Sequence, residues 1–371
     1  MATDMETCMK VPKIVITGGP GGGKTSGIPY LAKKLRAHAQ TPIIVEEGAT
    51  TVFERLKAGG GLSANPAEFQ RLVLEHILAK EAEASAYAES LPTIDRPVIL
   101  CDRGIYDNRA YQSRASFERF LNEYSLCPLL SRDERYDGVI HLRSAALGAE
   151  DQYTTLNNRA RRESIHEARK LDERTLTAWL GHPKLRIVPN IPTESFEQKL
   201  DRAWAALAHL LGIPRPVEIE RRFLVDRDQM VLPLTVPHEV VQIEQVYLIS
   251  DGERIRSRAA HGRTIYSHAK KSALRRGVRE EIEKSITHAE YLSFLENRDP
   301  TRGTIMKERH HFVWNNQHFE LDIFQRPAGI SILEIELLEE HEPVTLPPFI
   351  PLVCEITHDK KFTNHRLSKR A

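Results

Sequence analysis

Four pairs of acidic residues spaced two apart constrain this chain more than any other feature: Glu218 and Glu220, Glu281 and Glu283, Glu320 and Asp322, Glu334 and Glu336. On a β-strand that spacing puts both carboxylates on one face and the residue between them (Ile219, Ile282, Leu321 or Ile335) on the other. Basic residues keep the same spacing in Arg254 and Arg256 and in Lys307 and Arg309. The plain reading is an antiparallel sheet with one face on a core and one in water. Against it, acids here cluster with acids, whereas a solvated surface intersperses the two signs. Neighbouring like charges repel and need an offset. Divalent cations offset paired carboxylates, and a polyphosphate offsets clustered Arg and Lys. The pattern therefore predicts an ionic face closed inside a barrel, with the apolar face packed outward.

This period-two pattern starts only after Gly212-Ile213-Pro214-Arg215-Pro216, a stretch that cannot extend a helix. Before it, short apolar runs at Lys13–Thr17, Pro42–Glu46, Val98–Asp102, Gly138–Leu142 and Leu185–Val188 alternate with helical stretches such as Pro66–Leu91, Glu163–Leu180 and Leu200–Leu211. That is the rhythm of a parallel sheet with crossover helices. A chain of 371 residues has room for both. Two domains are expected: residues 1–212, an α/β domain with a parallel sheet flanked by helices, and residues 213–371, mainly β and antiparallel. Fifty-two Lys and Arg against fifty-one Asp and Glu leave a net charge of +1, so no global field draws the chain to nucleic acid or anionic lipid. Cys8, Cys101, Cys127 and Cys354 form no CxxC pair or disulfide framework. Met1–Lys10 lacks the marks of a signal peptide, and no apolar run is long enough to span a bilayer. The expectation is a soluble, cytoplasmic protein without a membrane partner.

Gly18-Gly19-Pro20-Gly21-Gly22-Gly23-Lys24-Thr25 matches GxxxxGK[ST], between the strand Lys13–Thr17 and a helical segment running to about His38. Gly18, Gly21, Gly22 and Gly23 let backbone N–H groups converge on phosphate oxygens, Lys24 adds a point charge, and Thr25, with Ser26 beside it, reaches the magnesium side. ATP is the expected ligand, with another nucleoside triphosphate as the alternative. Asp102 closes the strand Val98–Asp102 and is the candidate for the metal side of the phosphate. Asp102-Arg103-Gly104 resembles the Asp-Arg motif of nucleoside and nucleotide kinases. Glu46 or Glu47, ending the second strand, occupies the position that in deoxynucleoside-kinase-like folds holds the base for an acceptor hydroxyl, and the resemblance implies that role for one of them. Arg159 and Arg162, in Asn158-Arg159-Ala160-Arg161-Arg162-Glu163, resemble the lid of P-loop kinases and would neutralise charge on the transferred phosphoryl group. The plain alternatives are a glycine turn without ligand, solvated carboxylates at strand ends and a solvated basic helix start.

Glu218-Ile219-Glu220-Arg221-Arg222 resembles the ExExK signature of the CYTH domain of the triphosphate tunnel metalloenzymes, with Arg222 in place of lysine. The likeness continues in order to about Ser368. Glu253-Arg254-Ile255-Arg256 resembles the RxR strand, and Lys270 falls where a tunnel lysine is expected, with Lys271 next if the register slips. Arg279-Glu280-Glu281-Ile282-Glu283 is similar to RxExE, Lys307-Glu308-Arg309 to KxR, and Glu320-Leu321-Asp322-Ile323-Phe324 to ExDxF. Glu334-Ile335-Glu336 is similar to ExE, and Glu355-Ile356-Thr357 with Lys361 and Asn364 to the closing motif. The resemblance implies an eight-stranded antiparallel tunnel that hydrolyses a triphosphate with Mg²⁺ or Mn²⁺. Glu218, Glu220, Glu334 and Glu336 would carry metal, while Arg222, Arg254, Arg256, Lys270, Lys307 and Arg309 would grip phosphate. Glu281, Glu283, Glu320 and Asp322 would orient the bases, hold a second metal or position water. Replacing an ammonium by a planar guanidinium at Arg222 changes the geometry offered to phosphate. The first part, about residues 11 to 200, resembles the P-loop ATPase and kinase-like module found in front of such tunnels.

The expected protein is thus a bifunctional enzyme acting on a small-molecule triphosphate and a nucleotide. The alternatives are an RNA 5′-end-processing or nucleotide-sensing protein whose tunnel binds a 5′-triphosphate, and a non-enzymatic module that binds phosphorylated ligands. The sequence leaves the oligomeric state open.

Overall fold

The computed structural model describes residues 10–58, 65–153, 163–214, 219–250, 252–275 and 278–369, with the backbone alone for 93, 271–275 and 278–282. The chain groups into two compact units, one of Met1–Phe120, Tyr136–Thr175 and Asn190–Leu207, the other of Leu121–Arg135, Leu176–Pro189 and Ala208–Ala371. Leu121–Arg135, Leu176–Pro189 and the residues from Ala208 up to the proline-rich stretch at 212–216 thus group with the second unit although they precede that stretch in sequence.

A five-stranded parallel sheet comprises β1 (Lys13–Thr17), β2 (Thr41–Val45), β3 (Pro97–Asp102), β4 (Gly138–Leu142) and β5 (Leu185–Val188), in the order β2-β3-β1-β4-β5. Its strands are continuous apolar runs because helices cover both faces, and Ile14, Val15 and Ile16 are fully buried. The helices are α1 (Lys24–Ala37), α2 (Gly48–Ala58), α3 (Pro66–Ser90), α4 (Arg114–Glu123), α5 (Ile165–Ala178) and α6 (Phe196–Leu210). Asn65 caps α3, its side chain accepting from the Glu68 N–H with Pro66 in the first turn. Register sets Ile16 beside Asp102 and Thr17 beside His141, so the carboxyl ends of β1, β3 and β4 form one edge, where ligands of open α/β sheets bind.

The second sheet is antiparallel and has nine strands, one more than expected: β6 (Ile219–Val225), β7 (His238–Tyr247), β8 (Glu253–Ala260), β9 (Arg263–Arg275), β10 (Val278–Ile286), β11 (Ile305–Trp314), β12 (Gln317–Arg326), β13 (Ser331–Leu337) and β14 (Leu352–Glu355). Their order is β10-β9-β8-β7-β11-β12-β13-β6-β14, with the short β14 on the edge beside β6. Helices α7 (His288–Leu295) and α8 (Asn364–Leu367) accompany it.

Both faces of this sheet are covered. On one, Phe223, Phe312, Phe319, Leu321, Leu333 and Ile335 form a core with Leu234 and Ile350 from the connecting segments. On the same side α7 packs Tyr291 against Val246 and Ile255. The opposite face carries the charges, yet Lys307 is 3% exposed and Asp322 0%. The centre of the ionic face is enclosed, as the acidic pairs predict, whereas Glu220, Glu283 and Glu336 toward its ends are exposed. Its Lys307 end meets an apolar cluster in which Ile305, Phe324 and Ile332 pack with Ile356 and with Leu367 of α8. Among the described residues no helix is long and apolar enough to cross a membrane. Cys101 and Cys127 are buried and Cys354 is exposed, and none of the three is in a disulfide.

Candidate functional site

The loop after β1 takes its shape from two constraints. Gly18 adopts φ 144°, and a Cβ there would lie 2.1 Å from the Leu142 carbonyl oxygen. Behind the loop, buried Asp172 on α5 accepts from the N–H of Gly19 at 2.8 Å and of Ser144 at 2.9 Å, while Arg143 pairs with its other oxygen at 2.7 Å. Burial alone would raise the Asp172 pKa, but His141 and Arg143 outweigh it and hold the carboxyl at about 2. Lys199 of α6 braces the same loop, donating to the carbonyls of Gly22 at 3.1 Å and Arg143 at 2.6 Å.

In front of the loop, Lys24 donates to the Gly18 carbonyl at 3.1 Å, and burial followed by the nearby Arg103 guanidinium lowers its pKa to about 8. Arg103 adopts φ 72°, a left-handed conformation that costs a non-glycine residue about 1–3 kcal/mol and is characteristic of functional sites. Its guanidinium is fixed by Glu47 at 2.7 Å, Asp107 at 3.1 Å and the Gly18 carbonyl at 3.3 Å, with the Tyr111 ring beneath it. Asp107 also accepts from the Thr17 hydroxyl and the Gly104 N–H. Glu47 faces this cluster; although burial opposes ionisation, Arg103 and Lys24 keep its pKa below the usual carboxylate range. Glu46 points to solvent. Asp102 carries a buried Oδ1 with no hydrogen-bond partner among the described residues, and burial, reinforced by Glu47 and Asp107, raises its pKa. Thr25 and Ser26 are exposed in the first turn of α1. Arg159 and Arg162 lie outside the described residues.

In the second sheet, cross-strand register fixes which charges share a face, because directly paired residues point the same way. Arg309 pairs with Asp322, Glu320 with Glu334, Glu334 with Arg222 and Glu336 with Glu220. Arg254 and Arg256 of β8 continue that face past β7, which contributes Val241, Ile243 and Gln245, with its one charge, Glu239, at the end opposite His311. Arg309 donates from Nε to Asp322 Oδ1 at 2.6 Å and from Nη2 to Asp322 Oδ2 at 2.7 Å and Glu334 Oε2 at 2.8 Å, and it also binds Glu320. Lys307 pairs with Asp322. Burial opposes ionisation of Asp322, but Arg309 and Lys307 win and its pKa falls to about 2. Glu334 moves the other way, to about 7, through burial and the charge of Asp322.

Arg222 contacts Glu220 at 3.2 Å and donates to the carbonyls of Phe362 and Thr357, each at 3.2 Å. Its wide fork thus anchors the C-terminal turn, which a lysine could not do from two sides. Arg256 lies 3.7 Å from Glu283. Glu336 meets Arg186 at 2.6 Å and His209 at 2.9 Å. Lys270 is placed differently from the other bases. It pairs with Glu253 at 3.1 Å and opposes Glu253 in register, one step out of phase with Arg254 and Arg256, with its side chain 59% exposed. The next register position, Lys271, opposes Glu281; both side chains, like all of Glu218, lie outside the described residues.

Two histidines on the ionic face join this set without having been singled out in the sequence. His311 lies opposite Glu320 in register and stacks on His318, with centroids 5.4 Å apart and planes 8° apart. Their signal was available: Lys307-Arg309-His311 and His318-Glu320-Asp322 keep the same two-residue phase. Burial, then repulsion between the two rings, holds the His311 pKa well below its ordinary value.

Loop, strand-end carboxylate and enclosed ionic sheet define a two-part protein with a phosphate-binding α/β fold and a charge-lined antiparallel sheet. Residues 13–199, half of the chain, match the AAA domain family, and the chain belongs to that family. Two crystal structures of one protein also align with it. That of the inorganic triphosphatase NE1496 is 27% identical, covers 42% of this chain and 96% of its own, and has a TM-score of 0.31. That of the hypothetical protein NE1496 is likewise 27% identical, with coverage of 41% and 98% and a TM-score of 0.31.

Proposed function

We propose that the protein is a bifunctional, metal-dependent enzyme: the second sheet hydrolyses a triphosphate, and the AAA-family part binds Mg-ATP and transfers or hydrolyses its γ-phosphate. The observation that carries the reading is the enclosure of Lys307 and Arg309 among Asp322, Glu320 and Glu334. Enclosing this many charges is costly, and a core of similar volume is as stable with apolar residues, so stability does not account for the arrangement. An enclosed mixed lattice suits a ligand that brings its own negative phosphates and positive ions.

The donor set fits a divalent cation. Glu320 faces Glu334 and Glu220 faces Glu336 directly across neighbouring strands; Arg309 bridges the first pair, and a divalent cation between Glu220 and Glu336 would add to the partial offset that Arg222, Arg186 and His209 already give. Among the described residues no three acidic, His or Cys side chains stand together as a ready cage, so the substrate's own oxygens or water would complete the coordination. Glu220, Glu334 and Glu336 would hold the ion, and Asp102 with its unpartnered Oδ1 and Thr25 would serve the nucleotide. A bound ion supplies charge neutralisation at the phosphoryl group and a more acidic water.

The chain's own residues do the rest. Arg254, Arg256, Arg222, Lys307 and Arg309 present fixed donors to phosphate oxygens and stabilise the leaving phosphate or pyrophosphate. Burial and the Asp322 charge raise the Glu334 pKa in the absence of metal, so this carboxyl would have to lose its proton to be recruited by a bound ion. In the first unit, Lys24 and the loop amides bind the β- and γ-phosphates, and Glu47, oriented by Arg103, accepts the proton of an acceptor hydroxyl or water.

The test is phosphate release by the full chain from tripolyphosphate, nucleoside triphosphates, thiamine triphosphate and a 5′-triphosphorylated RNA, with Mg²⁺ or Mn²⁺. Glu220→Ala is expected to abolish tripolyphosphate hydrolysis and Lys24→Ala to abolish ATP binding. Absence of metal-dependent release from every substrate would reduce the second sheet to a binding module.

A further inference from the structure

We infer that Arg186 and His209 are positioning residues for the acidic site of the second sheet, clamping one oxygen of Glu336 so that the other is presented to a divalent cation. This rests on the triphosphatase reading above and goes beyond it, because neither residue belongs to the ionic strands.

Both partners meet the same atom. Arg186 Nη2 lies 2.6 Å and His209 Nε2 2.9 Å from Glu336 Oε1. Among the described residues Oε2 has no polar partner. A carboxylate recruited only as a counterion would share both oxygens with a guanidinium, in the paired geometry that Arg309 adopts on Asp322. Double occupancy of one oxygen fixes the carboxylate's rotation and leaves a lone-pair edge for another ligand. Metal-binding carboxylates are held in this way by outer partners. That edge belongs to a residue directly opposite Glu220, so the repulsion between the two would be relieved by a cation.

The clamp is built from rigid parts. Arg186 is 8% exposed on β5, and His209 sits in the last turn of α6. Both precede the proline-rich stretch in sequence, and Arg186 falls inside the residues matching the AAA domain family, yet both group with Glu336 in the second unit. A fragment beginning after the proline-rich stretch would therefore lack two supports of its own acidic site.

A competing role makes the opposite prediction. If Arg186 merely neutralised Glu336 in place of a metal, removing it would free the carboxylate and tighten cation binding. Mn²⁺ binding to the nucleotide-free full chain, measured by the EPR signal of free Mn²⁺, separates the two. Arg186→Ala is expected to weaken binding about 10- to 100-fold, with Arg186→Lys recovering part of the loss. His209→Ala is expected to weaken it less. Tripolyphosphate hydrolysis by Arg186→Ala should recover toward the wild-type kcat at high Mn²⁺. Unchanged or tighter Mn²⁺ binding in Arg186→Ala with an unaltered melting curve overturns the inference; should that variant fail to fold, the same criterion applies to His209→Ala. Glu220→Gln separates the two levels of the claim. If it abolishes Mn²⁺ binding while Arg186→Ala does not, only the clamp is wrong. If it too changes nothing, the metal-dependent reading falls and the clamp with it.

Discussion

Arg309 on β11 reaches past β12 to donate to Glu334 on β13 at 2.8 Å. The same guanidinium binds Asp322 through two nitrogens and also contacts Glu320, so one base meets three acids. Removing one partner of a buried ion pair leaves uncompensated charge and costs about 3–5 kcal/mol. Arg309→Ala is therefore expected to lower the unfolding free energy, measured by urea titration of the full chain, by that much and to abolish tripolyphosphate hydrolysis. Arg309→Lys keeps the charge but loses the fork, and should recover stability better than activity. Equal recovery of both would mean that the fork has no part in binding phosphate.

Lys24 gives the nucleotide site a pH signature. Its pKa is about 10.5 in the unfolded chain and about 8 when folded, through burial and the Arg103 charge. Below pH 8 both states hold the proton; between 8 and 10.5 only the unfolded state does, so this group's contribution to stability increases with pH over that window. Phosphate binding needs the ammonium and runs the other way. Affinity for Mg-ATP, measured by calorimetry from pH 7 to 9.5, should fall above pH 8 by up to about tenfold per pH unit. Lys24→Arg should remove that slope, since a guanidinium stays charged throughout the range.

How much of this was legible follows from the physics of each signal. Period-two charge gave the enclosed face, because a strand's alternation is local and needs no knowledge of partners. The parallel strands were legible as continuous apolar runs. Lys270 was assigned by motif spacing along one strand, but its face is set by the ladder, which pairs it with Glu253 and leaves it out of phase with Arg254. Glu46 and Glu47 could not be separated by a run that ends in two carboxylates; Arg103 turns Glu47 inward. Asp172, Lys199 and Arg186 were invisible for a common reason. Each acts through a contact distant in sequence, as with Gly19 and Asp172, 153 residues apart. The tunnel resemblance implied eight strands without bounding them, and the ladder gives nine.

Asp172 should be a pH-dependent support of the phosphate loop. Its carboxyl titrates at about 2 in the folded chain against about 3.8 unfolded: burial opposes ionisation, and His141, Arg143 and the Gly19 N–H more than offset it. A depressed carboxylate contributes stability that is fully present above pH 3.8 and is lost as pH falls through 2. Asp172→Asn is expected to cost about 3 kcal/mol at pH 7, judged from removal of one partner of a buried pair, and the gap to wild type should close toward pH 2. Releasing the Gly19 amide should also weaken Mg-ATP binding. Acid and urea titrations of the two proteins side by side check the first point, and calorimetry checks the second.

Glu47 and Glu46 offer a test of the chemistry at the AAA-family site, because two adjacent carboxylates have different surroundings. Glu47 is held by Arg103 at 2.7 Å and by the Thr50 hydroxyl at 3.3 Å, facing the cluster that contains Lys24 and Asp102. Glu46 is exposed. A positioned general base contributes about 10²–10⁴ to rate. Glu47→Gln keeps the size and the hydrogen-bonding oxygen but removes the base, so ATP turnover should fall at least about 100-fold with little change in ATP affinity. Glu46→Gln should leave both unchanged. A loss confined to affinity in Glu47→Gln would make this carboxylate a support for Arg103 alone, and a loss of turnover in Glu46→Gln would move the base to the solvent side of the strand.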